Sequence, residues 1–244
     1  MFVKESMRWD RLTKPRFLLG YLFAPWLFIL GSTSELQLRI GIPIVLLGIA
    51  VRFWANGHVG HVKVNWAPRS HGSKIGRLVT AGPYAYIRNP LYFGSLLIGV
   101  GLCIIGGEPL LSVIALGCLL VAYRRKILQE EQLLRGEWGE AYDQYCKAVP
   151  AYFPTWRRYP GPRGQWDWQG IWASKEPKTL IWVIAVIILL YLREEFVEHH
   201  GRLFDDPHRT LRLCLLGLAI VLAAGDGLFE LIRRRTKRTA TIGR

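Results

Sequence analysis

The chain has 244 residues, of which 51% are hydrophobic, and a formal net charge of +14. Together with a mean hydropathy of +0.18, this composition favours a membrane protein. The positive charge does not indicate nucleic-acid binding, because the basic residues alternate with uncharged apolar runs instead of forming one phosphate-binding patch. Membrane topology and anionic lipid headgroups account for it better. The four cysteines form no Cys-x-x-Cys pair, so we expect neither a disulfide framework nor a metal site.

Six uncharged apolar runs follow one another along the chain. They cover residues 17–31, 40–51, 91–107, 109–123, 179–192 and 213–225. Several are shorter than the ~20 residues that span a bilayer, but their succession, separated by arginine-rich stretches, predicts an all-α fold. We therefore expect a polytopic integral membrane helical bundle of about six transmembrane helices. Tryptophans and tyrosines that flank the runs fit an interfacial belt.

The charges between the runs predict an orientation. Residues 52–90 hold six basic residues and no acid, whereas the connections near Glu35 and Glu108 are acidic. By the positive-inside rule the basic loop is cytoplasmic, and with six spans both termini lie on the same side. The expected location is a bacterial or archaeal inner membrane. The N terminus is not expected to be a cleavable signal, because no small-residue cleavage site follows the first apolar run.

The chain is expected to have three parts. Residues 1–56 form an N-terminal transmembrane hairpin, and residues 57–156 form a core built around a second helical hairpin. Residues 157–244 form an interfacial linker rich in Pro, Gly and Trp, two further spans and a basic tail. The middle part is expected to carry the chemistry.

Residues 82–94, Gly-Pro-Tyr-Ala-Tyr-Ile-Arg-Asn-Pro-Leu-Tyr-Phe-Gly, are the most distinctive segment of this middle part. They set turn formers, aromatic side chains and Arg88 directly against the start of the apolar run 91–107. This arrangement predicts a polar site at the membrane surface. A water-soluble cofactor and an apolar substrate could both reach such a site.

A second polar group follows the fourth apolar run. The helix is expected to continue beyond the membrane, which places Glu130 and Glu131 one to two turns past the interface at ~1.5 Å per residue. Adjacent acids on a helix point in different directions, so one can face a pocket, although a solvated helical face is the ordinary alternative. Residues 136–150 are expected to form an amphipathic helix that lies against the membrane or folds under the site.

In their order and spacing, these motifs resemble the isoprenylcysteine carboxyl methyltransferase family and the wider group that includes phospholipid N-methyltransferases. The resemblance covers residues 50–156. It rests on Gly82-Pro-Tyr84, Arg88-Asn-Pro-Leu-Tyr-Phe-Gly94, Glu130-Glu131 and Tyr142-x-x-Tyr-x-x-x-Val-Pro150. It implies an integral membrane enzyme that transfers the methyl group of S-adenosylmethionine to a lipophilic small-molecule or lipidated acceptor. It also implies a cofactor pocket on the cytoplasmic side that does not use the Gly-x-Gly-x-x-Gly loop of soluble nucleotide-binding folds. The sequence contains no such motif.

The resemblance also implies which residues form the site. The residues implied to bind the cofactor are Tyr84, Arg88, Asn89, Pro90, Tyr92, Gly94, Glu130 and Glu131. Arg88 and Tyr92 are also the implied catalytic residues, and Arg88 can pair with a carboxylate through charge-assisted hydrogen bonds. Asn89 stands where the family frequently has histidine; it can donate and accept hydrogen bonds but cannot titrate.

The identity of the acceptor stays open. A carboxylate or thiolate acceptor needs no base, since it is already an anion. An amine acceptor, as in phospholipid N-methylation, must first lose a proton, and His58 and His61 are then the nearest candidate bases. Two further alternatives remain. An NADPH-dependent sterol-type reductase is suggested by Tyr145-Cys-Lys-Ala-Val-Pro150, and a non-catalytic membrane protein would use residues 82–94 only as a turn.

Overall fold

The computed structural model describes residues 29–59, 78–162, 164–168, 171, 176–198, 210–211, 213–222 and 224–225. Most of the first apolar run, most of the basic loop with His61, and the basic tail lie outside the described residues. The described part is helical and contains no strand, which confirms the predicted all-α class. Its longer helices are α1 (Glu35–Val59), α2 (Pro90–Gly106), α3 (Pro109–Ala148), α4 (Glu176–Glu198) and α5 (Leu213–Leu222).

Of the helices in the described segments, α1 alone is long and apolar enough to cross a membrane by length and composition. The apolar helices α2 and α5 are shorter than a full span. The prediction of six spans is therefore not confirmed. Many large apolar side chains of α1 and α3 are nevertheless exposed, among them Leu36, Leu46, Leu47, Leu110, Val113 and Val121. Helices that face hydrocarbon are expected to carry such a surface.

The chain divides into two compact units, Met1–Ser174 and Lys175–Arg244. In the second unit, α4 and α5 pack through Ile188, Leu192 and Ala219. Residues 157–168, grouped with the C-terminal spans in the sequence analysis, make their described backbone contacts within the first unit. The Tyr159 amide donates to the Ala85 carbonyl at 2.9 Å, and the Asp167 amide donates to the Gly57 carbonyl at 2.8 Å.

Glycines allow α1 and α2 to approach closely. A Cβ atom added to Gly48 of α1 would lie 2.6 Å from the carbonyl oxygen of Gly94 on α2. Two helical turns after Gly94 on α2, a Cβ on Gly101 would lie 2.8 Å from the carbonyl oxygen of Gly41 on α1. Small residues at such a seam permit backbone contact between apolar helices. The seam sets the first turn of α2 beside the C-terminal half of α1.

A tight turn at Gly107 returns the chain from α2 to α3. Gly107 has φ +72° and its amide donates to the Cys103 carbonyl at 3.2 Å. This is the left-handed conformation that glycine commonly supplies after a helix. Pro109 then begins α3, at a position where the missing amide hydrogen costs no helical bond. As a result, α3 packs beside α2 and its polar part returns towards the start of α2.

The helix α3 is interrupted at Gly139, which has φ +49° and ψ −124°. The residues after this break fold back onto the first unit and bury Tyr142, Tyr145 and Val149. Leu78, Leu134, Trp138, Cys146 and Tyr159 pack around these three side chains. Of the two placements open to the segment 136–150, the structure therefore shows the one in which it packs against the protein.

Candidate functional site

The segment before α2 is a compact turn held by its own backbone. Gly82 has φ +60° and begins a 3₁₀ helix, Gly82–Ala85. Pro83 accepts a hydrogen bond from the Tyr86 amide at 3.0 Å. The Arg88 amide donates to the Pro150 carbonyl at 2.9 Å, which ties the turn to the residues after α3. Arg88 and Asn89 are thus held at the entrance to α2, and Pro90 is its first residue.

Arg88 and Glu131 form an ion pair that is largely removed from solvent. The Arg88 Nη2 atom lies 3.3 Å from Glu131 Oε1, and each side chain is only 14% exposed. Asn89 Nδ2 donates to the same carboxylate oxygen at 3.4 Å and to the Ala151 carbonyl at 3.2 Å. Glu131 therefore binds two consecutive residues of the turn, Arg88 and Asn89. Breaking such a pair is costly, because the partner is left as an uncompensated charge.

The neighbouring glutamate also reaches α2. The Tyr92 hydroxyl donates to Glu130 Oε1 at 2.6 Å, and the Tyr92 ring packs edge-on against Tyr123 with the centroids 5.0 Å apart. The two adjacent acids therefore have different partners, as their angular separation on a helix predicts, but both partners belong to the segment 88–92. The structure brings Arg88, Asn89, Tyr92, Glu130 and Glu131 together in one polar cluster.

Two buried polar atoms have no hydrogen-bond partner among the described residues. They are Arg88 Nε, just before the start of α2, and Asn56 Oδ1, in the last turn of α1. Buried polar groups are normally paired. The Arg88 side chain has a planar fork of donors that suits a carboxylate, and Nε belongs to that fork. Arg88 therefore retains a donor that can bind an anionic group in addition to Glu131.

The remaining predicted site residues are Tyr84, Pro90 and Gly94, whose described contacts are with the backbone and with α1. The Tyr84 carbonyl accepts a hydrogen bond from the Tyr145 hydroxyl at 2.6 Å, and Pro90 is fully buried at the start of α2. A Cβ on Gly94 would lie 2.6 Å from Arg52 Cγ and 2.7 Å from the Gly48 carbonyl. The space beside Gly94 is thus occupied by α1, and close helix packing accounts for the glycine.

Arg52 lies in the C-terminal half of α1. In the structure it crosses to α2, where its Nη1 atom donates to the Leu91 carbonyl at 3.1 Å and to the Ser95 hydroxyl. Asn56, one turn later, donates to the Arg52 carbonyl at 2.9 Å and is fully buried. The signal that could have identified both is their spacing of four residues at the end of an apolar run.

His58 lies beside the turn that precedes α2. Its Nδ1 atom donates to the Trp54 carbonyl at 3.0 Å, and its ring packs edge-on against Trp166 at 5.4 Å. The ring also fills the space beside Gly82, where a Cβ would lie 2.5 Å from it. A turn-packing role therefore accounts for His58 in the described structure.

Two phenols of the buried cluster are shifted in acidity. Burial raises the pKa of Tyr145 well above its ordinary value, although Arg88 acts in the opposite direction. Burial also raises the pKa of Tyr142, and the nearby Glu131 charge adds to the effect. Both hydroxyls therefore stay protonated at neutral pH. Tyr145 serves as a donor that holds the Tyr84 carbonyl in place.

Part of the chain that contains this cluster is similar to known methyltransferases. Residues 36–141 match a family model described as phospholipid methyltransferase. A Protein-S-isoprenylcysteine O-methyltransferase from Schizosaccharomyces pombe is 34% identical over 140 residues, which are 57% of this chain and 54% of the relative.

Two bacterial relatives carry names of another kind. The cobalt-zinc-cadmium resistance protein CzcN of Cupriavidus metallidurans is 31% identical over 137 residues, which are 55% of this chain and 56% of the relative. The nickel-cobalt-cadmium resistance protein NccN of Alcaligenes xylosoxydans is 35% identical over 121 residues, which are 50% of this chain and 51% of the relative.

The chain thus spans about half the length of the curated relatives that it matches. No solved structure matches it. The matched segment contains α1 from residue 36, the turn, α2, and α3 as far as residue 141, and therefore the whole polar cluster. The predicted resemblance is confirmed: over this segment the chain is similar to the phospholipid methyltransferase family and to the isoprenylcysteine O-methyltransferases.

Proposed function

We propose that this chain is an S-adenosylmethionine-dependent membrane methyltransferase that acts on a lipophilic acceptor, as the isoprenylcysteine O-methyltransferases do. The observation that carries the proposal is the shielded Arg88–Glu131 pair, with Asn89 on the same carboxylate and Tyr92 on the adjacent one. This cluster lies within the segment that matches the family. It also lies at the start of the apolar helix α2, where an aqueous cofactor and a membrane-dissolved acceptor can meet.

The residues present fit the charged groups of S-adenosylmethionine. Its amino-acid end carries a carboxylate and an ammonium, and its sulfur is cationic. Arg88, whose buried Nε has no partner among the described residues, would bind the carboxylate. Glu130 and Glu131 would attract the ammonium and the sulfonium, and the Tyr84 ring would border the adenosine. When bound, the cofactor supplies an electrophilic methyl group.

The protein's part in the reaction is to align the acceptor with the cofactor and to remove water from both. The residues of the site would hold the acceptor next to the methyl group that the cofactor supplies, and such positioning can lower the barrier substantially. The Tyr92 hydroxyl fixes the rotamer of Glu130, and Asn89 together with Arg88 fixes Glu131. A carboxylate acceptor is already an anion, so the residues of the site would have no proton to remove from it. Asn89, which does not titrate, is compatible with this chemistry.

Phospholipid N-methylation is the alternative within the same chemistry, because the matching family model carries the name phospholipid methyltransferase. An ammonium headgroup would have to release a proton before it could attack. His58 is the described imidazole closest in sequence to the site, but its ring packs against Trp166 and fills the space beside Gly82. The anionic acceptor is therefore the reading that the described residues support better.

The membrane arrangement that we propose has six spans, a cofactor pocket on the cytoplasmic side and both termini in the cytoplasm of a bacterial or archaeal cell. The basic, acid-free segment 52–90 and the basic cluster 124–126 support this orientation through the positive-inside rule. Cysteine accessibility to a membrane-impermeant reagent at each connection would test it.

The decisive experiment is binding of S-adenosylmethionine and, separately, of NADPH to the detergent-purified protein. We expect micromolar binding of S-adenosylmethionine that Glu131→Gln weakens by a factor of about 10 or more, the usual effect of losing a charged hydrogen bond in a shielded site. Glu137→Gln is the matched control, since Glu137 lies on the same helix and is exposed. Binding of NADPH alone would favour a reductase, and binding of neither would favour a non-catalytic role.

A cellular role in metal tolerance is a second candidate, because two of the relatives are named for resistance to cobalt, cadmium and either zinc or nickel. Growth of a strain that lacks this protein on these metal salts tests it. Complementation by the wild type but not by Glu131→Gln would connect the tolerance to the polar cluster. Equal growth with and without the protein would eliminate this role.

A further inference from the structure

Residues 152–158, Tyr-Phe-Pro-Thr-Trp-Arg-Arg, form a loop that displays large aromatic side chains; we call it the aromatic loop. Phe153 is 72% exposed and Trp156 is 99% exposed, and Tyr152 is also exposed. Large aromatic side chains of these three kinds normally contribute to a core or an interface. An exposed cluster of this kind marks an interaction surface.

The loop is fixed by its backbone. The Thr155 amide donates to the Tyr86 carbonyl at 2.9 Å, and the Tyr159 amide donates to the Ala85 carbonyl at 2.9 Å. Within the loop, the Arg157 amide donates to Thr155 Oγ1 at 3.3 Å. The aromatic side chains therefore project from a segment that is tied to the turn leading into α2, and their exposure is built into the fold.

The charged side chains of the aromatic loop are all positive. Arg157 and Arg158 are both exposed. Between Asp143 and Asp167 the sequence contains no acidic residue. A surface that combines exposed aromatic rings with unopposed arginines complements an anionic, partly apolar partner.

The hydrogen bonds that hold the loop show where it lies along the length of the apolar helices. It is bonded to Ala85 and Tyr86, a few residues before α2 begins at Pro90. Trp54, at the corresponding end of α1, packs against Tyr86 with centroids 6.2 Å apart. Tryptophan and tyrosine concentrate at this level in membrane proteins, where the hydrocarbon ends and the headgroups begin.

We propose that the aromatic loop docks on the headgroup layer of an anionic membrane. Phe153 and Trp156 enter the boundary between acyl chains and headgroups, and Arg157 and Arg158 bind lipid phosphates. The loop thereby anchors the turn that carries Arg88 at a defined depth. This inference depends on the membrane location of the chain and not on methyl transfer.

The test uses the full chain in proteoliposomes of phosphatidylcholine with an equal part of phosphatidylglycerol, one of the two lipids brominated in each sample. The Trp156 contribution is the fluorescence of the wild type minus that of Trp156→Phe. Because Trp156 is almost fully exposed, this substitution removes no packing. We expect quenching of that contribution by brominated lipid, stronger for phosphatidylglycerol, and protection from aqueous iodide.

Charge is tested by the double substitution Arg157→Gln/Arg158→Gln. Each arginine near an anionic surface is expected to contribute about a fivefold preference at low salt, so the double variant and high salt should both bring the two brominated lipids close to equal quenching. Arg135→Gln is the matched control. Arg135 is also exposed, but its charge is already paired with Asp143 at 2.7 Å, so the preference for phosphatidylglycerol should persist.

Three outcomes would overturn the proposal. Quenching of the Trp156 contribution by iodide and not by brominated lipid would place the loop in water. Insensitivity to both quenchers would mean that protein, such as a second copy of the chain, covers the loop. Equal quenching by both brominated lipids in the wild type at low salt would exclude recognition of anionic headgroups.

Discussion

The Tyr92 hydroxyl donates a 2.6 Å hydrogen bond to Glu130, across a separation of 38 residues. The adjacent acid, Glu131, contacts Arg88 and Asn89, which precede Tyr92 on the same segment. Two consecutive residues of α3 therefore bind residues on both sides of the α2 N terminus. The Gly107 turn between the two helices makes this possible, because it returns α3 alongside α2. The polar cluster is thus a product of the helical hairpin.

Removal of the Tyr92 hydroxyl is expected to affect cofactor binding more than stability. In Tyr92→Phe the ring packing against Tyr123 is kept, while Glu130 loses the donor that fixes it. We expect S-adenosylmethionine binding to weaken roughly 10-fold, the effect of losing one hydrogen bond to a charged group. Equilibrium binding to the detergent-purified protein measures it.

Tyr123→Phe provides the control for that substitution, since the same ring pair loses a hydroxyl that has no hydrogen-bond partner among the described residues. It should bind the cofactor like the wild type. If the two variants weaken binding equally, the contribution of Tyr92 is its ring, and the Tyr92–Glu130 hydrogen bond has no role in cofactor binding.

Arg88 is expected to contribute both to folding and to binding, and two substitutions separate these effects. Arg88→Gln leaves the shielded Glu131 charge without its cation, and should destabilise the protein by about 3 kcal/mol. Arg88→Lys retains a positive charge but loses the planar donor fork and the Nε donor. It should be nearly as stable as the wild type and still bind S-adenosylmethionine poorly. Chemical unfolding and cofactor binding are measured on the same preparations.

The double variant Arg88→Gln/Glu131→Gln tests the physical reason for the instability. Two amides can hydrogen-bond without an uncompensated charge, so the double variant should be more stable than Arg88→Gln alone. Stability losses that simply add would show that the two side chains do not interact energetically. Neither variant is expected to bind the cofactor.

Much of this cluster could be predicted from the sequence because its motifs resemble those of a known family in order and spacing. Arg88, Asn89, Tyr92 and the two glutamates were all expected at one site, and the structure joins them by hydrogen bonds and an ion pair. The resemblance was sufficient here since these polar side chains lie in short motifs that can be recognised without knowledge of the fold. The helical class followed from apolar runs in the same way.

Contacts that depend on packing between helices could not be predicted. Arg52 donates to the first turn of α2, because the glycine seam brings that turn within reach. Gly94 was implied to admit the cofactor, whereas the space beside it contains Arg52 and Gly48. The bond between Tyr145 and Tyr84 depends on the reversal at Gly139. No local sequence pattern specifies these distances.

The turn before α2 should be sensitive to a single methyl group at Gly82. Its φ of +60° disfavours any residue with a Cβ atom, and that atom would lie 2.5 Å from the His58 ring. Gly82→Ala should therefore cost at least about 1 kcal/mol from the backbone alone, and the clash adds to this. Chemical unfolding in detergent measures the loss.

Gly136→Ala is the control for the Gly82 substitution. Gly136 lies within α3 without a positive φ, and an added Cβ would meet no atom within 4 Å. It should be neutral or should stabilise by up to about 1 kcal/mol, because alanine is the better helix former. If Gly82→Ala were equally harmless, the turn would be adaptable and its backbone geometry would not limit the position of Arg88.

The buried phenol of Tyr145 should make stability depend on alkaline pH. Burial raises the pKa of Tyr145 in the folded protein above the ordinary value of about 10. Below pH 10 the phenol is protonated in both states, and its contribution to stability is constant. As the pH rises above about 10, the unfolded chain releases this proton first and binds fewer protons than the folded one. Stability therefore falls, by up to about 1.4 kcal/mol per pH unit from this one group.

Tyr145→Phe should remove that slope while losing about 1 kcal/mol at neutral pH, because the Tyr84 carbonyl loses its donor. The difference in unfolding free energy between wild type and variant should consequently shrink above pH 10. Val149→Ala distinguishes this effect from general weakening: Val149 is buried in the same cluster, so its truncation lowers stability but leaves the phenol in place. Its pH profile should run parallel to that of the wild type. Parallel profiles for Tyr145→Phe as well would mean that the buried hydroxyl does not control the alkaline transition.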